Sequence, residues 1–390
     1  MRPDFAARQQ HDHAQRLAAG LQRRLRAAGD GARPGRIVLG GRELIDFGSN
    51  DYLGLARHPR LIAALATAAR EGVGARASHL LGGHRQAHAD LERALADWTG
   101  YPRALLFSTG YMAALGAQVA LLGRHDLALH DRLNHASLLD GARLAGAALR
   151  RYRHADVGDA ARRLAAQPQS RALLVTDSVF SMDGDVAPLA DLAALARRER
   201  AWLMVDEAHA LGVLGPQGRG GCAAAGLGPG DVPVWMGTLG KALGGFGAVI
   251  CGSDALVDAL VHGARSYVYT TALPPALVRA MIVAVALARA ADAERAQSLA
   301  LIARLRAGAA QQGWTLLPSA TPIQPLLVGD SAAALALAAR LEAAGVHCPA
   351  VRPPTVPRGG ARLRIALSAA HSLEDVERLL AVLGTAPRAA

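Results

Sequence analysis

Trp202-Leu203-Met204-Val205-Asp206-Glu207-Ala208-His209 is the stretch from which the fold reads most directly. An apolar run ends in a carboxylate and a polar turn, the signature of a short buried strand with an acid at its carboxyl end. Similar runs lie at 104–107, 172–176, 234–236 and 248–251, each bounded by Gly, Pro or Asp, and helical patterns such as 189–200 separate most of them. This alternation predicts an α/β domain with a mostly parallel sheet. Open α/β sheets bind ligands beyond the carboxyl ends of their strands, which is where Asp206 would sit.

Further out the pattern changes at both ends. Residues 14–28 read as an amphipathic helix stopped by Gly29-Asp30-Gly31, and a hairpin of 36–39 with 43–47 turns at Gly40-Gly41. From Pro275 a long Ala/Leu/Arg helix leads into strand-like runs at 314–317, 324–328 and 362–367, with an alanine-rich helix among them. The expected organisation is an N-terminal helix and hairpin (1–50), a large domain (51–275) and a smaller α+β domain (276–390). No internal repeat or low-complexity linker interrupts it.

Composition narrows the function. The chain has 390 residues, 51% of them hydrophobic, enough for a large core, and with only 4% aromatics that core is built from small aliphatic side chains. Three widely spaced cysteines form neither a disulfide framework nor a zinc pattern, which fits a reducing cytoplasm. No apolar stretch is long enough to span a bilayer. The net charge of +11 would suit acidic partners. Its densest cluster, Arg150, Arg151, Arg153 and His154, has only Tyr152 as an interleaved aromatic, so nucleic-acid binding is not expected.

Of the 43 basic residues only Lys241 is a lysine. Arginine replaces lysine wherever charge suffices, but its guanidinium stays protonated and cannot form an imine. The lone amine lies in Thr238-Leu239-Gly240-Lys241-Ala242-Leu243-Gly244-Gly245, a strand end followed by small residues that admit close backbone approach. The string is not a phosphate-binding P-loop, because Ala242 follows the lysine. Lys241 fits Schiff-base chemistry with an aldehyde cofactor. Asp206 fits a partner for a protonated pyridine nitrogen, and His209 fits a hydrogen bond to a ring hydroxyl. Asp206 read alone is equally a helix cap. Ser108-Thr109-Gly110-Tyr111 opens a helix after a strand, where backbone N–H groups bind phosphate. His135, within Asp131-Arg132-Leu133-Asn134-His135-Ala136-Ser137, is the candidate to stack on a cofactor ring.

Together with Ser49-Asn50-Asp51-Tyr52-Leu53-Gly54-Leu55 and Val179-Phe180-Ser181-Met182-Asp183-Gly184-Asp185, these blocks resemble the α-oxoamine synthases, from about Leu21 to Leu380. That family has the aspartate-aminotransferase fold, type I among enzymes dependent on pyridoxal 5'-phosphate. Ile323-Gln324-Pro325-Leu326 and Arg352-Pro353-Pro354-Thr355-Val356-Pro357 look like the branch that condenses L-alanine with a pimeloyl thioester, carried on coenzyme A or acyl carrier protein, in biotin formation. Other branches join glycine to acetyl or succinyl groups, or serine to a long acyl chain.

The resemblance implies a role for each matched residue. Lys241 would hold the cofactor and then serve as acid–base group at the substrate α-carbon. Asp206 would pair with the ring nitrogen, His135 would stack, and Ser181 and His209 would flank the phenolic oxygen. Gly110, Tyr111 and Thr238 would complete the cofactor site, with Thr270 and Thr271 reaching it from the second subunit of a homodimer. Arg364 would clamp the amino-acid carboxylate, a bidentate task suited to guanidinium. Asn50, Thr355 and Arg24 would contact substrate. Ala210, Ala114 and Gly83 depart from the family's usual glycine, asparagine and serine, and none of these removes a group the chemistry needs.

Overall fold

Seven strands form one sheet, in the order Arg103–Phe107, Ala248–Gly252, Val234–Thr238, Trp202–Asp206, Ala172–Asp177, Leu127–Asp131 and Ala148–Tyr152. Only Ala248–Gly252 runs antiparallel to its neighbours. In this computed structural model, which describes residues 4–18 and 25–386, the other six strands therefore direct their carboxyl ends to one edge. The loops after Phe107, Asp131, Asp177, Asp206 and Thr238 all open there.

The strand sequences explain the layering. Successive side chains point to opposite faces. Leu203 and Val205 pack with Leu192 and Val278 on one face, and Met204 packs with Val175, Ala113 and Leu256 on the other. Both faces are covered by helices, so the runs are apolar throughout instead of alternating.

A second unit is built around the antiparallel strands Ile323–Gly329, Ala361–Ala366 and Ala350–Val351, with helices Asp292–Gln311, Ser331–Ala343 and Leu373–Leu383. The N-terminal hairpin joins it. Arg42–Asp46 pairs in parallel with Val346–His347, Phe47 is buried in the same core as Leu305 and Leu379, and Arg36 meets Asp375 at 2.5 Å.

Several elements differ from the sequence expectation. The first helix is Phe5–Ala18, with no buried residue; of the expected helix 14–28, residues 19–24 lie outside the described residues, and Ala28–Asp30 is a strand paired with Arg36–Leu39. That short segment carries no strand pattern of its own; the open edge of the hairpin recruits it. The long helix after Pro275 is two, Pro275–Arg289 and Asp292–Gln311. Residues 314–317 form no strand, only a bridge from Leu316 to Leu326. Leu127–Asp131 and Ala148–Tyr152 are additional strands. The second places Arg150 and Arg151 on the sheet edge, with Arg151 donating to the Arg132 carbonyl at 2.6 Å. Among the described residues, no helix is long and apolar enough to cross a membrane.

Candidate active site

At the carboxyl edge of the sheet, Gly110, Tyr111, His135, Ser181, Asp206, His209, Thr238 and Lys241 line one cavity of about 200 Å³. Five loops and five strand ends deliver these eight residues, and each is positioned by local chemistry. Thr109 caps the helix Gly110–Leu121, its Oγ1 accepting from the Met112 amide at 3.2 Å. The first turn of that helix faces the cavity with unpaired backbone donors. His135 caps the helix Ala136–Leu144, with Nδ1 2.7 Å from Ser137 Oγ, and its own amide donates to Asp177 Oδ2 at 2.8 Å.

Lys241 sits in a tight turn. The Gly244 amide donates to the Lys241 carbonyl at 2.8 Å, and the Gly245 amide to the Leu239 carbonyl at 2.9 Å. Gly244 has φ +68°, and a Cβ there would lie 2.3 Å from the Ala56 amide nitrogen, so only glycine fits. Ala56 belongs to the turn held by the half-buried Asp51 carboxylate, which accepts from the Leu55 and Ala56 amides at 2.9 and 3.0 Å. The turn that presents Lys241 is thus keyed into the turn that presents Asn50 and Tyr52.

Electrostatics sharpen the picture. Burial lowers the Lys241 pKa to about 8, against the opposing pull of Asp206 and Asp177 and with help from Arg364. Burial raises the Asp206 carboxyl, and Lys241 offsets part of that rise. Asp177, at the neighbouring strand end and paired in register with Asp206, is raised well above the usual range by burial and by the Asp206 charge. Burial takes His209 well below the usual imidazole range. It also lowers His135, whose ring is open to the cavity, with Asp206 pulling the other way. Both imidazoles are thus pushed toward their neutral forms.

Beside the cavity, Arg364 Nε donates to the Ser181 carbonyl at 2.7 Å and Nη2 to Asn50 Oδ1 at 3.1 Å. A guanidinium anchored this way is a preformed seat for a carboxylate. Three expected residues lie elsewhere in the single chain. Thr270 and Thr271 are outside the cavity wall, with Thr271 bridged to Ser78, and Thr355 is exposed in the loop after Pro354. Arg24 lies outside the described residues.

The cavity also contains Asp177, Ser137, Ala208 and Met236, which the sequence reading did not single out. Asp177 had a legible signal: like Asp206, it is the acid that ends a buried apolar run.

Comparison with known proteins gives the family. A model of aminotransferase class I and II matches residues 42–383. The chain belongs to that family. It is 56% identical to an 8-amino-7-oxononanoate synthase of Xanthomonas oryzae pv. oryzae, over 90% of this chain and 88% of that one. The corresponding protein of Alkalilimnicola ehrlichii is 55% identical over 95% of each chain. Among solved structures, a Sphingomonas wittichii serine palmitoyltransferase superposes with TM-score 0.93 at 33% identity, covering 98% and 97% of the two chains. An 8-amino-7-oxononanoate synthase of Francisella tularensis gives 0.77 at 29% identity, over 87% and 96%.

As a family I/II member, the chain has residues that fit pyridoxal 5'-phosphate. Two buried carboxylates at adjacent strand ends are short of positive charge, which a protonated ring would supply. The lone amine faces them, and a helix start offers donors for a phosphate.

Proposed function

We infer that the protein is a pyridoxal-phosphate-dependent acyltransferase. It condenses L-alanine with a pimeloyl thioester, releasing carbon dioxide and free thiol and giving 8-amino-7-oxononanoate for biotin formation. The observation that carries the chemistry is the Lys241 amine, buried in the family's cavity with a pKa of about 8, facing Asp206 and flanked by the Arg364–Asn50 pair. The substrate assignment rests on the 55–56% identity to 8-amino-7-oxononanoate synthases over at least 90% of the chain.

When bound, pyridoxal phosphate supplies an aldehyde for amine capture and a protonated ring that takes up the electron pair left at the substrate α-carbon. The chain's residues do the rest. Arg364 and Asn50 seat the alanine carboxylate. Lys241 Nζ would take the proton from the α-carbon and later return one to the product. Asp206 would keep the ring nitrogen protonated, His135 would cover the ring, and Ser181 and His209 would address its oxygen. Gly110, Tyr111 and Thr238 would hold the phosphate side.

Finer points belong to the same reading. The active unit is a homodimer in the cytoplasm, with Thr270 and Thr271 completing the partner's phosphate site; their position outside their own chain's cavity supports this. Thr355 and Arg24 touch the acyl substrate, and the basic surface suits an acidic carrier, coenzyme A or acyl carrier protein. The chain divides functionally into 1–50, 51–275 and 276–390.

Purified protein with L-alanine and pimeloyl thioester should release free thiol and carbon dioxide in equal amounts. Silence with alanine, together with turnover of serine or glycine and another acyl thioester, would move the protein to a sister branch.

A further inference from the structure

One buried hydroxyl joins the two halves of the site. Tyr52, only 1% exposed, places its Oη 2.7 Å from His209 Nδ1 and 3.1 Å from Asn50 Oδ1. On the far side of the imidazole, His209 Nε2 lies 2.8 Å from Lys241 Nζ. The proton positions along this chain follow from donor counting. Arg364 carries only donors, so the amide atom it meets on Asn50 is the oxygen. A phenol has one proton, and an amide oxygen can only accept, so Tyr52 donates to Asn50. Tyr52 must then accept from His209, which puts the imidazole proton on Nδ1. Nε2 is left bare, and it faces an amine that, while charged, can only donate.

We propose that Tyr52 is a positioning residue that fixes His209 in its Nδ1–H form, so that Nε2 stays an acceptor toward Lys241 and sets the proton affinity of that amine. The other charged or titratable groups acting on Lys241 are Asp206 and Asp177 at their strand ends, His135 in the same cavity wall and Arg364 from the Ala361–Ala366 strand. Of these, Arg364 also hydrogen-bonds the Tyr52 hydroxyl directly; a guanidinium only donates, so the phenol proton remains free for Asn50. In Tyr52→Phe the Nδ1 proton has no partner in a buried site. A bare ring nitrogen there costs less than an orphaned N–H, so the proton moves to Nε2. An N–H then points at the amine and favours its neutral form.

The inference rests on reading Lys241 as the amine that captures pyridoxal phosphate. The test is the pH dependence of that capture by cofactor-free enzyme, followed by absorbance, in wild type, Tyr52→Phe, His209→Leu and the double variant. The expected midpoint for wild type is near the Lys241 pKa of about 8. Tyr52→Phe should lower it by about one unit, a tenfold rise in neutral amine at a given pH below it. In the His209→Leu background the same change should do nothing, because the relay is already cut. A midpoint unmoved or raised by Tyr52→Phe, or lowered equally without His209, would overturn the role of Tyr52 while leaving Lys241 in place. Absence of capture in wild type would instead defeat the reading of Lys241. Loss of folding in Tyr52→Phe is guarded against by the His209→Leu variant, whose own midpoint should fall because an acceptor facing the amine is gone. A His209→Leu midpoint equal to that of wild type would also overturn the proposal.

Discussion

Asp206 shows how a single carboxylate is prepared for its task. Burial raises its pKa, and the raised value of its neighbour Asp177 reflects two acids that cannot both ionise cheaply in the same dry strand-end layer. A cationic ring would relieve both. Asp206→Asn keeps the shape and removes the charge that, in the proposed site, would hold the ring nitrogen protonated. We expect turnover with alanine to fall by about 10²–10³, the scale of losing one preorganised electrostatic contact, with a much smaller change in KM. Steady-state kinetics on cofactor-loaded protein check this; a variant within a few-fold of wild type would show that Asp206 does not face the ring.

At the scale of elements, the loop that carries Ser181 is tied down from outside the cavity. His154, at the end of the edge strand Ala148–Tyr152, lies between Asp131 Oδ1 at 3.0 Å and Asp185 Oδ2 at 2.8 Å, with its ring edge-on to Phe180. Burial alone would lower its pKa, but the hydrogen bonds and charges of the two acids overcome this and raise it to about 10. The folded state therefore binds a proton that the unfolded chain, titrating near 6.5, releases. The stabilisation is fully present below about pH 6.5, declines through the window between, and is lost as pH rises through about 10. Urea midpoints of the wild type should fall across that window by more than those of His154→Gln. That variant should also raise the KM for alanine, because the Ser181 carbonyl orients Arg364. Identical pH profiles would refute the clamp. The sequence showed His154 only as part of a basic cluster; its acids are 23 and 31 residues away and meet it only in the folded chain.

At the scale of the whole molecule, one chain lines the cavity with twelve residues, and Thr270 and Thr271 are not among them. The proposed sharing of sites across a dimer makes a sharp prediction. Chains carrying Lys241→Ala, mixed and refolded with chains carrying Thr270→Val and Thr271→Val, should recover activity that neither parent shows. The ceiling is about one quarter of wild type, because half of the randomly formed dimers are mixed and each has one intact site. Recovery no greater than the sum of the parents would place the threonines outside the partner's site.

The sequence by itself determined the layered α/β core, the strand-end acid at Asp206 and the uniqueness of Lys241, because each is written in local pattern: apolar runs, turn residues and a lone primary amine in a chain of arginines. The tertiary structure alone decided what those groups feel. The pairing of Asp177 with Asp206, the Tyr52–His209–Lys241 chain and the His154 clamp join residues from 23 to 157 positions apart. Strand order and burial set such meetings, and they act through distance and desolvation, which linear spacing does not encode. The short strand Ala28–Asp30 belongs with them, since an open sheet edge, and no propensity of its own, made it a strand.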